Sequence, residues 1–270
     1  MDNTSMDLKD KVTIVTGAAA GLGRATALEC ARRGARLVAV DVDGGGLAET
    51  ARTIIDAGQE IVTVTADLSV EEDVERAMAA AAGRYGRLDV LVHCAAILVG
   101  AHTRVDAFST EAWRRTIDVN LTGTFLCVKH ATPLMEKGGG GVMILLASNA
   151  GIRGHSSSVA YAASKGGVHG IGLCVRPRLE PLGIRVHVAV PDNMNTRMFV
   201  GVQGALAATR GESREQAERE AQARLPGPER SAAFLAGLAT EEGAELFGEQ
   251  LLVYHNEWWQ RVEQEGVSGC

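Results

Sequence analysis

The sequence predicts an α/β protein in which a doubly wound parallel sheet carries helices on both faces. Short β-branched apolar runs alternate with longer helical patterns, and repeats of this kind form parallel strands joined by right-handed crossovers. The strand segments are continuously apolar, which is typical of strands that are covered on both faces. They read TIVT, LVAV, VLVHCA, VMILLA and VHVAV. Together these features indicate a single-domain, Rossmann-like architecture.

The first half of the chain shows the alternation most clearly. The strand KVTIVTG precedes a helix predicted over residues 22–33, and the strand ARLVAVD precedes a second helix that follows Gly46. EIVTVTAD is the third strand, a third helix starts at Val70, and RLDVLVHCA is the fourth strand. This order is that of consecutive β-α-β units, which place their strands in one parallel sheet.

The chain is predicted to form a single domain over residues 1–270. Its length of 270 residues is sufficient for a substantial core, and α/β folds of this size are commonly a single domain. Residues 192–230 are rich in Ala, Arg and Glu and end near Pro-Gly-Pro, which indicates an inserted helical substrate loop. A C-terminal tail over residues 254–270 contains Trp258 and Trp259 before it turns polar.

Composition and charge argue against several kinds of partner. Acidic residues outnumber basic ones by 33 to 27 and no Lys/Arg-rich run is present, so a nucleic-acid partner is not expected. The N-terminus lacks a long apolar stretch, and the apolar run over residues 142–147 is far too short for a bilayer, so we expect neither secretion nor membrane insertion. Five cysteines without CxxC spacing fit a reducing cytoplasm, and no metal site is expected.

A glycine cluster lies where the first strand passes into the first helix. Gly17, Gly21 and Gly23 in TGAAAGLGRA have the spacing GxxxGxG. At such a position backbone N–H groups and a helix N-terminus can bind a pyrophosphate. The same glycines could serve only to form a tight turn, so the cluster alone does not separate the two interpretations.

Asp41 ends the second strand, 18 residues after Gly23 (41 − 23). This is close to the spacing at which an acidic residue accepts hydrogen bonds from the adenosine ribose. A carboxylate there repels a 2′-phosphate, and residues 18–20 and 42–46 contain no Lys or Arg to offset it. The sequence therefore favours NAD over NADP. Arg24, at the start of the first helix, is either a solvated surface charge or a phosphate contact.

Asp67 follows the third strand in the segment TADLS. Its carboxylate is placed to bind the adenine amino group of a dinucleotide. A strand-end aspartate also commonly caps the following helix, and that interpretation stays open beside the first.

Tyr161 and Lys165 form the segment Y-A-A-S-K. On a helix a separation of four residues places both side chains on one face. A protonated lysine favours the phenolate, so Lys165 is expected to lower the pKa of Tyr161 towards the working range and make it a usable acid/base. By itself, a Tyr and a Lys four residues apart are more often a surface pair.

Two further polar residues give this pair its context. Ser148 follows the apolar run VMILLA, at the edge of the sheet where open α/β folds bind ligands, and its hydroxyl can bond a reacting oxygen or serve as an ordinary turn residue. Asn120 lies within a long helical pattern, where Asn is a poor interior residue. It marks either a local distortion of the helix or a solvated position.

From about Lys9 to Asn256 the sequence resembles the short-chain dehydrogenase/reductase family, through the joint occurrence in chain order of the pieces described above. The resemblance implies hydride transfer between nicotinamide and an alcohol or carbonyl carbon. It implies Tyr161 as the acid/base, Ser148 as the residue that orients the substrate oxygen, and Lys165 as pKa modulator and nicotinamide-ribose ligand. Asn120 would hold the water of a proton relay, and a homotetramer built on long helices is implied.

The same resemblance implies the residues that contact NAD. The segment after the sixth strand would hold the nicotinamide carboxamide. The expected contacts are Gly17, Gly21, Leu22, Gly23, Asp41, Asp67, Leu68, Tyr161, Lys165, Val190, Pro191, Asp192 and Thr196.

Three segments depart from the family pattern. His-Cys-Ala-Ala at residues 93–96 replaces the usual Asn-Asn-Ala-Gly, which predicts a somewhat different backbone path near the adenosine. Asp192 replaces the usual Gly after Pro191, where it either brings a carboxylate to the nicotinamide or caps the next helix. Tyr-His-Asn at residues 254–256 replaces Asp-Gly-Gly and leaves the end of the substrate pocket undefined.

The sequence does not name the substrate. Arg153 and His155 either bind an anionic or hydroxyl-rich substrate or are solvated, while Met194, Met198 and Phe199 suggest either an apolar lid or plain packing. The leading hypothesis is a dehydrogenase of a secondary alcohol, cyclic or sugar-like. The alternatives are a carbonyl reductase that works in the opposite direction and a nucleotide-sensing protein without turnover.

Overall fold

A computed structural model of the chain describes residues 7–153, 158–241, 243–244, 252–255 and 258–261. The last two segments are described through their backbone. No helix in these ranges combines the length and the apolar character that a bilayer crossing requires.

The strands of the described residues form one sheet. They are β1 (Val12–Thr16), β2 (Arg36–Asp41), β3 (Ile61–Thr65), β4 (Val90–His93), β5 (Gly141–Leu146), β6 (Ile184–Val190), β7 (Leu252–His255) and β8 (Trp258–Arg261). Their order is β3-β2-β1-β4-β5-β6-β7-β8. Strands β1 to β7 run parallel, and β8 pairs antiparallel with β7 at the edge.

Helices cover both faces of this sheet. They are α1 (Gly21–Arg32), α2 (Gly44–Asp56), α3 (Glu71–Tyr85), α4 (Thr110–Ile117), α5 (Gly123–Lys137), α6 (Ala150–Arg153), α7 (Val159–Leu179), α8 (Arg197–Thr209), α9 (Arg214–Arg224) and α10 (Glu229–Leu238). Helices α4 and α5 are joined by a π-helical turn at Asp118–Thr122. Short 3₁₀ turns occur at Val105–Ala107 and Glu180–Leu182.

Strand β4 shows why the strand segments are continuously apolar. Leu91 points into a core that it shares with α3, α5 and α7. Val90 and Val92 point to the opposite face, into a core that includes residues of α1, α2 and α10. Because successive strand residues alternate between two buried faces, Val90, Leu91 and Val92 are all apolar, and the strand ends at the buried His93. The predicted doubly wound parallel sheet with helices on both faces is confirmed.

The strand order reverses between β1 and β4. From β1 the chain winds outwards to β2 and β3, then returns to β4 on the other side of β1 and winds the opposite way. In open α/β sheets this reversal opens a crevice beyond the carboxyl ends of the two central strands. Thr16 and His93 are paired at that end, so ligands are expected above them.

Several helix bounds differ slightly from the sequence expectations. The first helix is α1, one residue earlier than predicted at each end. The second begins at Gly44 instead of after Gly46, because the Asp43 carboxylate accepts hydrogen bonds from the N–H groups of Gly45 and Gly46 and caps the helix. A capping aspartate thus starts a helix on three consecutive glycines.

The region predicted as an inserted helical loop contains α8 and α9, which pack against each other as a hairpin. Asn195 closes the base of this hairpin. Its N–H donates to the carbonyl of Pro226 at 2.7 Å, and its side-chain amide donates to the carbonyl of Gln222 at 3.0 Å. Helix α10 follows and returns to the core beside α1.

The C-terminal segment adds strands that the sequence did not predict. Tyr254 and His255 lie in β7, and Trp258 and Trp259 lie in the antiparallel β8. Asn256 and residues 262–270 of the predicted tail lie outside the described residues.

Leu91 provides a test of the two-sided core. Its side chain is fully buried, so Leu91→Ala should lower the free energy of unfolding by about 2 to 5 kcal/mol through lost burial and the cavity left behind. Ile55→Ala, on the exposed side of α2, should change it by less than about 0.5 kcal/mol. Urea denaturation followed by circular dichroism measures both, and equal effects would contradict the described packing.

Candidate active site

The loop between β1 and α1 depends on close backbone approaches. A Cβ on Gly17 would lie 2.9 Å from the Cα of Ala95, and one on Gly23 would lie 2.0 Å from the carbonyl oxygen of Gly17. Gly17 also has a φ of +70°, a conformation that favours glycine. These glycines therefore make a tight turn, and the same turn lets a ligand approach the backbone.

The N-terminus of α1 fits an anionic group. Ala20 precedes the helix and provides no side-chain cap, and the first turn, which includes the half-buried Leu22, contains no acidic residue. The N–H groups of this turn and the positive end of the helix dipole favour negative charge. Across the crevice, a Cβ on Gly21 would lie 3.4 Å from the methyl carbon of Thr196. The glycine loop and the segment after β6 therefore face each other.

Asp41 lies at the end of β2, directly beside the glycine loop. One carboxylate oxygen accepts the N–H of Ala19 at 2.9 Å, and the other accepts the N–H of Asp43 at 3.0 Å. Arg24 is engaged elsewhere, because its guanidinium lies 3.3 Å from the carboxylate of Glu49. The carboxylates of Asp41 and Asp43 thus lie at this loop, while the nearby Arg24 is paired with Glu49.

Asp67 follows β3 and does not cap α3. Its carboxylate accepts hydrogen bonds from Ser69 and Arg115, and α3 begins after Val70 without a side-chain cap. The capping interpretation is therefore wrong. Burial alone would raise the pKa of Asp67, but the hydrogen bonds from Ser69 and Arg115 outweigh it and lower this pKa. Leu68 beside it is buried, with 5% of its surface exposed.

Tyr161 and Lys165 lie in the first two turns of α7. Ser158 caps this helix, and its hydroxyl accepts the N–H of Tyr161 at 3.4 Å. The Lys165 side chain is buried, with 3% exposed, and its ammonium donates to the carbonyl of Leu146 at 2.7 Å. It also lies 5.8 Å from the centre of the tyrosine ring. Lys165 is buried and Tyr161 is half-buried, so the alternative of an exposed surface pair is wrong.

Ser148 joins this pair from the end of β5. Its side chain is hydrogen-bonded to Tyr161, and its hydroxyl accepts the N–H of Ala150 at 3.2 Å. The short helix α6 that follows packs directly on α7, since a Cβ on Gly151 would lie 2.2 Å from the backbone nitrogen of Gly166. This close packing holds the loop of Ser148 against the helix of Tyr161.

The pKa of Tyr161 runs opposite to the sequence expectation. Burial raises it, and the hydrogen bond from Ser148 offsets this only in part. Burial also lowers the pKa of Lys165 to about 8. Lys165 does not lower the tyrosine pKa in this arrangement because its ammonium is directed at the Leu146 carbonyl and not at the phenol. The expected effect on Tyr161 is therefore corrected: desolvation dominates.

Asn120 is fully buried in the π-helical turn between α4 and α5. Its amide nitrogen donates to the carbonyl of Ile97 at 2.9 Å and to the hydroxyl of Ser164 at 3.0 Å, and its amide oxygen accepts the N–H of Ile97 at 2.8 Å. Its own carbonyl accepts the hydroxyl of Thr124 at 2.6 Å. The local-distortion interpretation is correct, and the solvated alternative is wrong.

The segment after β6 forms the wall opposite the glycine loop. Val190 is buried, whereas Pro191 and Asp192 are half-buried. The Asp192 carboxylate accepts the N–H of Asn193 at 2.7 Å, and α8 is capped instead by the hydroxyl of Thr196. The capping interpretation of Asp192 is therefore wrong, and its carboxylate stays near the mouth of the crevice.

The unusual His-Cys-Ala-Ala segment lies under the glycine loop. The His93 Nδ1 and the Thr16 hydroxyl are 3.0 Å apart, and that hydroxyl also accepts the N–H of Ala95 at 3.2 Å. Burial lowers the pKa of His93 to about 3 and raises the pKa of the Cys94 thiol to about 12. Both side chains are therefore neutral near pH 7, and the backbone at Cys94 and Ala95 remains packed against Gly17.

The residues considered for the substrate have different surroundings. Arg153 is exposed at the end of α6, and Met194 is buried. Met198 is 37% exposed and Phe199 half-buried on α8. His155 lies outside the described residues.

Two functional contacts escaped the sequence analysis. Ser158 caps α7 and also donates to the carbonyl of Val99 at 2.8 Å, which ties the loop after β4 to that helix. A serine just before a helical apolar run is a known capping signal and could have found it. Arg115 contacts Asp67 across a separation of 48 residues, for which no local signal exists.

Comparison with known proteins agrees with this geometry. A family model described as short chain dehydrogenase matches residues 11–205. The chain belongs to the short-chain dehydrogenase family. It is accordingly an oxidoreductase, a dehydrogenase or reductase that acts on a small molecule.

Relatives and solved structures extend the match over most of this short-chain dehydrogenase. It is 35% identical over 244 residues to cis-4-hydroxycyclohexanecarboxylate dehydrogenase of Sinomonas cyclohexanicum, covering 90% of this chain and 95% of the relative. It is 36% identical over 205 residues to 3-hydroxyacyl-CoA dehydrogenase type-2 of Homo sapiens, covering 72% and 77%. The crystal structure of levodione reductase superposes with a TM-score of 0.81 at 28% identity, covering 91% of this chain and 95% of that one.

The buried Lys165 predicts a pH-dependent difference in stability. Burial lowers its pKa to about 8 in the folded state from its ordinary value of 10.5, so between these values the unfolded chain binds more protons and stability rises with pH. Below pH 8 the burial costs about 3 kcal/mol. Lys165→Met removes this cost, so the stability of the variant relative to wild type should fall as the pH rises from 8 to 10.5.

Denaturant unfolding at a series of pH values measures that difference. Lys137→Met, an exposed lysine at the end of α5, is the control and should show a pH-independent difference over the same window. A flat difference for Lys165→Met would show that its ammonium is not desolvated.

Proposed function

We propose that this short-chain dehydrogenase uses NAD to move a hydride between nicotinamide and the carbon of a secondary alcohol or its carbonyl product. The observation that carries the proposal is the hydrogen-bonded pair of Ser148 and Tyr161, backed by the buried Lys165. This group lies at the carboxyl edge of the sheet, where an α/β fold binds its ligands. A proton donor and acceptor held in this way suits reversible exchange with an alcohol oxygen.

The cofactor would lie along the crevice from the glycine loop to α7. When bound, nicotinamide accepts or donates the hydride. The backbone at Gly17, Gly21, Leu22 and Gly23 would hold the pyrophosphate, and the close approaches there supply the space. The remaining contacts, from adenosine to nicotinamide, are proposed to be Asp41, Asp67, Leu68, Tyr161, Lys165, Val190, Pro191, Asp192 and Thr196.

The chain's own residues divide the proton chemistry. The Tyr161 hydroxyl exchanges a proton with the substrate oxygen, and the Ser148 hydroxyl orients that oxygen by a hydrogen bond. One N–H of the Lys165 ammonium donates to the carbonyl of Leu146. The other two N–H groups are left for a ribose hydroxyl and for an acceptor beside Tyr161. Asn120 keeps α7 and the loop after β4 in place and offers its carbonyl, already bonded to Thr124, as a second acceptor for a relay water.

Relatives point to the substrate class. One relative acts, by its name, on a hydroxycyclohexanecarboxylate, and the superposed structure is named a reductase. We therefore favour a ring-bearing secondary alcohol or ketone. A panel of both, followed by NADH absorbance in each direction, tests the proposal. Lack of turnover across a broad panel, together with tight NAD binding, would favour the nucleotide-sensing alternative.

We also propose a cytoplasmic homotetramer. The free cysteines Cys30, Cys94, Cys127 and Cys174 support a reducing compartment. Phe125 on α5 is 52% exposed and Leu173 on α7 is 39% exposed, an apolar feature that a subunit contact would cover. Light scattering should give four times the chain mass, and replacement of Phe125 and Leu173 by Glu should lower it. A wild-type monomer would reject the assembly.

Tyr161→Phe tests the acid/base role. The change removes only the hydroxyl, so turnover should fall by about a hundredfold to ten-thousandfold while the NAD dissociation constant stays nearly constant. Tyr85→Phe, at the end of α3, is the matched control and should keep normal turnover. Steady-state rates and calorimetric titration measure both quantities, and near-normal turnover of Tyr161→Phe would refute the assignment.

Cofactor choice is tested at Asp41. A carboxylate accepts hydrogen bonds from a ribose hydroxyl but repels a 2′-phosphate, so wild type should prefer NAD by more than about a hundredfold. Asp41→Ala should weaken NAD binding while NADP binding improves or holds. Adding Val42→Arg, at a position that is 62% exposed, should favour NADP further by supplying a phosphate partner.

The ratio of kcat/KM for the two cofactors reports this preference. Asp56→Ala, at the exposed C-terminal end of α2, is the charge-matched control and should leave the ratio unchanged. A wild type that already prefers NADP would reject the assignment and would point to Arg24, released from Glu49, as the phosphate ligand.

A further inference from the structure

Arg115 makes its polar contacts at the loop that follows β3. One guanidinium nitrogen donates to the Asp67 carboxylate at 3.1 Å, and the other donates to the Ser69 hydroxyl at 3.1 Å. The Ser69 hydroxyl and N–H in turn donate to the second carboxylate oxygen of Asp67, at 2.6 Å and 3.0 Å. The three side chains thus form a closed ring around one carboxylate.

This ring fixes the orientation of the Asp67 side chain. Its Oδ1 already accepts two hydrogen bonds from Ser69, whereas Oδ2 accepts one from Arg115 and keeps a free lone pair. The backbone of Asp67 is held separately, because its N–H donates to the Asp73 carboxylate at 2.8 Å, and Asp73 is paired with Arg76. The backbone therefore depends on α3, and the side chain depends on α4.

The ring also keeps Asp67 in its acceptor form. The hydrogen bonds from Ser69 and Arg115 lower the pKa of this carboxyl despite its burial. An ionised carboxylate can only accept hydrogen bonds. It therefore suits an amino group and disfavours a carbonyl oxygen at the same place.

We propose that Arg115 is a positioning residue for the cofactor: it holds the Asp67 carboxylate in the orientation that accepts a hydrogen bond from the adenine amino group. Arg115 acts through Asp67 and does not itself contact the dinucleotide. The inference rests on the proposed NAD function and on the adenine role proposed for Asp67. It adds α4, otherwise the helix that leads into the turn of Asn120, to the elements that recognise the cofactor.

The test uses two dinucleotides that differ at one group. Deamino-NAD carries hypoxanthine, so an oxygen replaces the adenine amino group. Calorimetric titration of the full-length protein should give a larger dissociation constant for deamino-NAD than for NAD in wild type. In Arg115→Ala the dissociation constant of NAD should rise by about threefold to tenfold, while that of deamino-NAD changes little, so the discrimination shrinks.

Two further variants sharpen this result. Arg114→Ala removes the neighbouring exposed arginine of α4 and should leave both dissociation constants unchanged. Arg115→Lys keeps the charge but places its donors on a single nitrogen, which lacks the fork that bridges Asp67 and Ser69, so it should restore only part of the discrimination. A structural defect, by contrast, would raise both dissociation constants by the same factor.

The outcomes separate this inference from the proposed function. If Asp67→Ala abolishes the discrimination but Arg115→Ala preserves it, Arg115 has no positioning role and the adenine assignment stands. If Arg115→Ala weakens both dinucleotides equally, the role is structural and the inference is wrong. If Asp67→Ala also leaves the discrimination unchanged, the adenine contact of the proposed function fails, and the inference fails with it.

Discussion

A direct backbone contact between the loop after β1 and the loop after β4 underlies the whole crevice. A Cβ on Gly17 would lie 2.9 Å from the Cα and the nitrogen of Ala95, so no side chain fits between the two loops. Thr16 reinforces the contact by bonding both His93 and the Ala95 N–H. Because β1 and β4 are the strands at which the sheet order reverses, this contact forms the floor of the crevice.

Helix α7 and the π-helical turn before α5 are held by buried polar groups. Lys165 is almost fully buried on α7, at a position where an apolar residue would cost less to bury. Desolvation lowers its pKa to about 8. Asn120 interrupts regular helix with a π-helical turn and bonds both Ile97 and Ser164. Such groups cost stability unless they are satisfied, and they concentrate where chemistry requires them. In this chain they converge on Tyr161.

The sequence predicted those features that depend on neighbouring residues. Continuous apolar runs identified the parallel strands, because both of their faces are buried. The poor helix propensity of Asn120 predicted either a local distortion or a solvated position, and the π-helical turn shows the first to be correct. What failed was orientation: spacing put Tyr161 and Lys165 on one face, but it could not show that the ammonium points at Leu146 and that burial therefore dominates the tyrosine pKa.

Contacts between distant segments were also beyond the sequence. The ring around Asp67 joins the loop after β3 to α4, which no periodicity or motif connects. The cap of α8 likewise depends on which of several polar residues reaches the first turn, and Thr196 does so in place of Asp192. The antiparallel β8 lies in a stretch whose composition resembles a tail, and its pairing depends on the edge that β7 provides.

Charge balance at the proposed adenosine end ties these elements together. In the proposed complex, Asp41 and Asp67 would bring two carboxylates towards a dinucleotide whose pyrophosphate is itself anionic. Arg24 does not offset them while it is paired with Glu49, so compensation falls to the N-terminus of α1 and to Arg115. Both would act through the orientation of their hydrogen-bond donors. The helix would present N–H groups to the phosphates, and the guanidinium occupies one side of the Asp67 carboxylate. The proposed recognition of adenosine by carboxylates would therefore depend on oriented hydrogen bonds and not on net attraction, and Arg115 could strengthen it without contacting the cofactor.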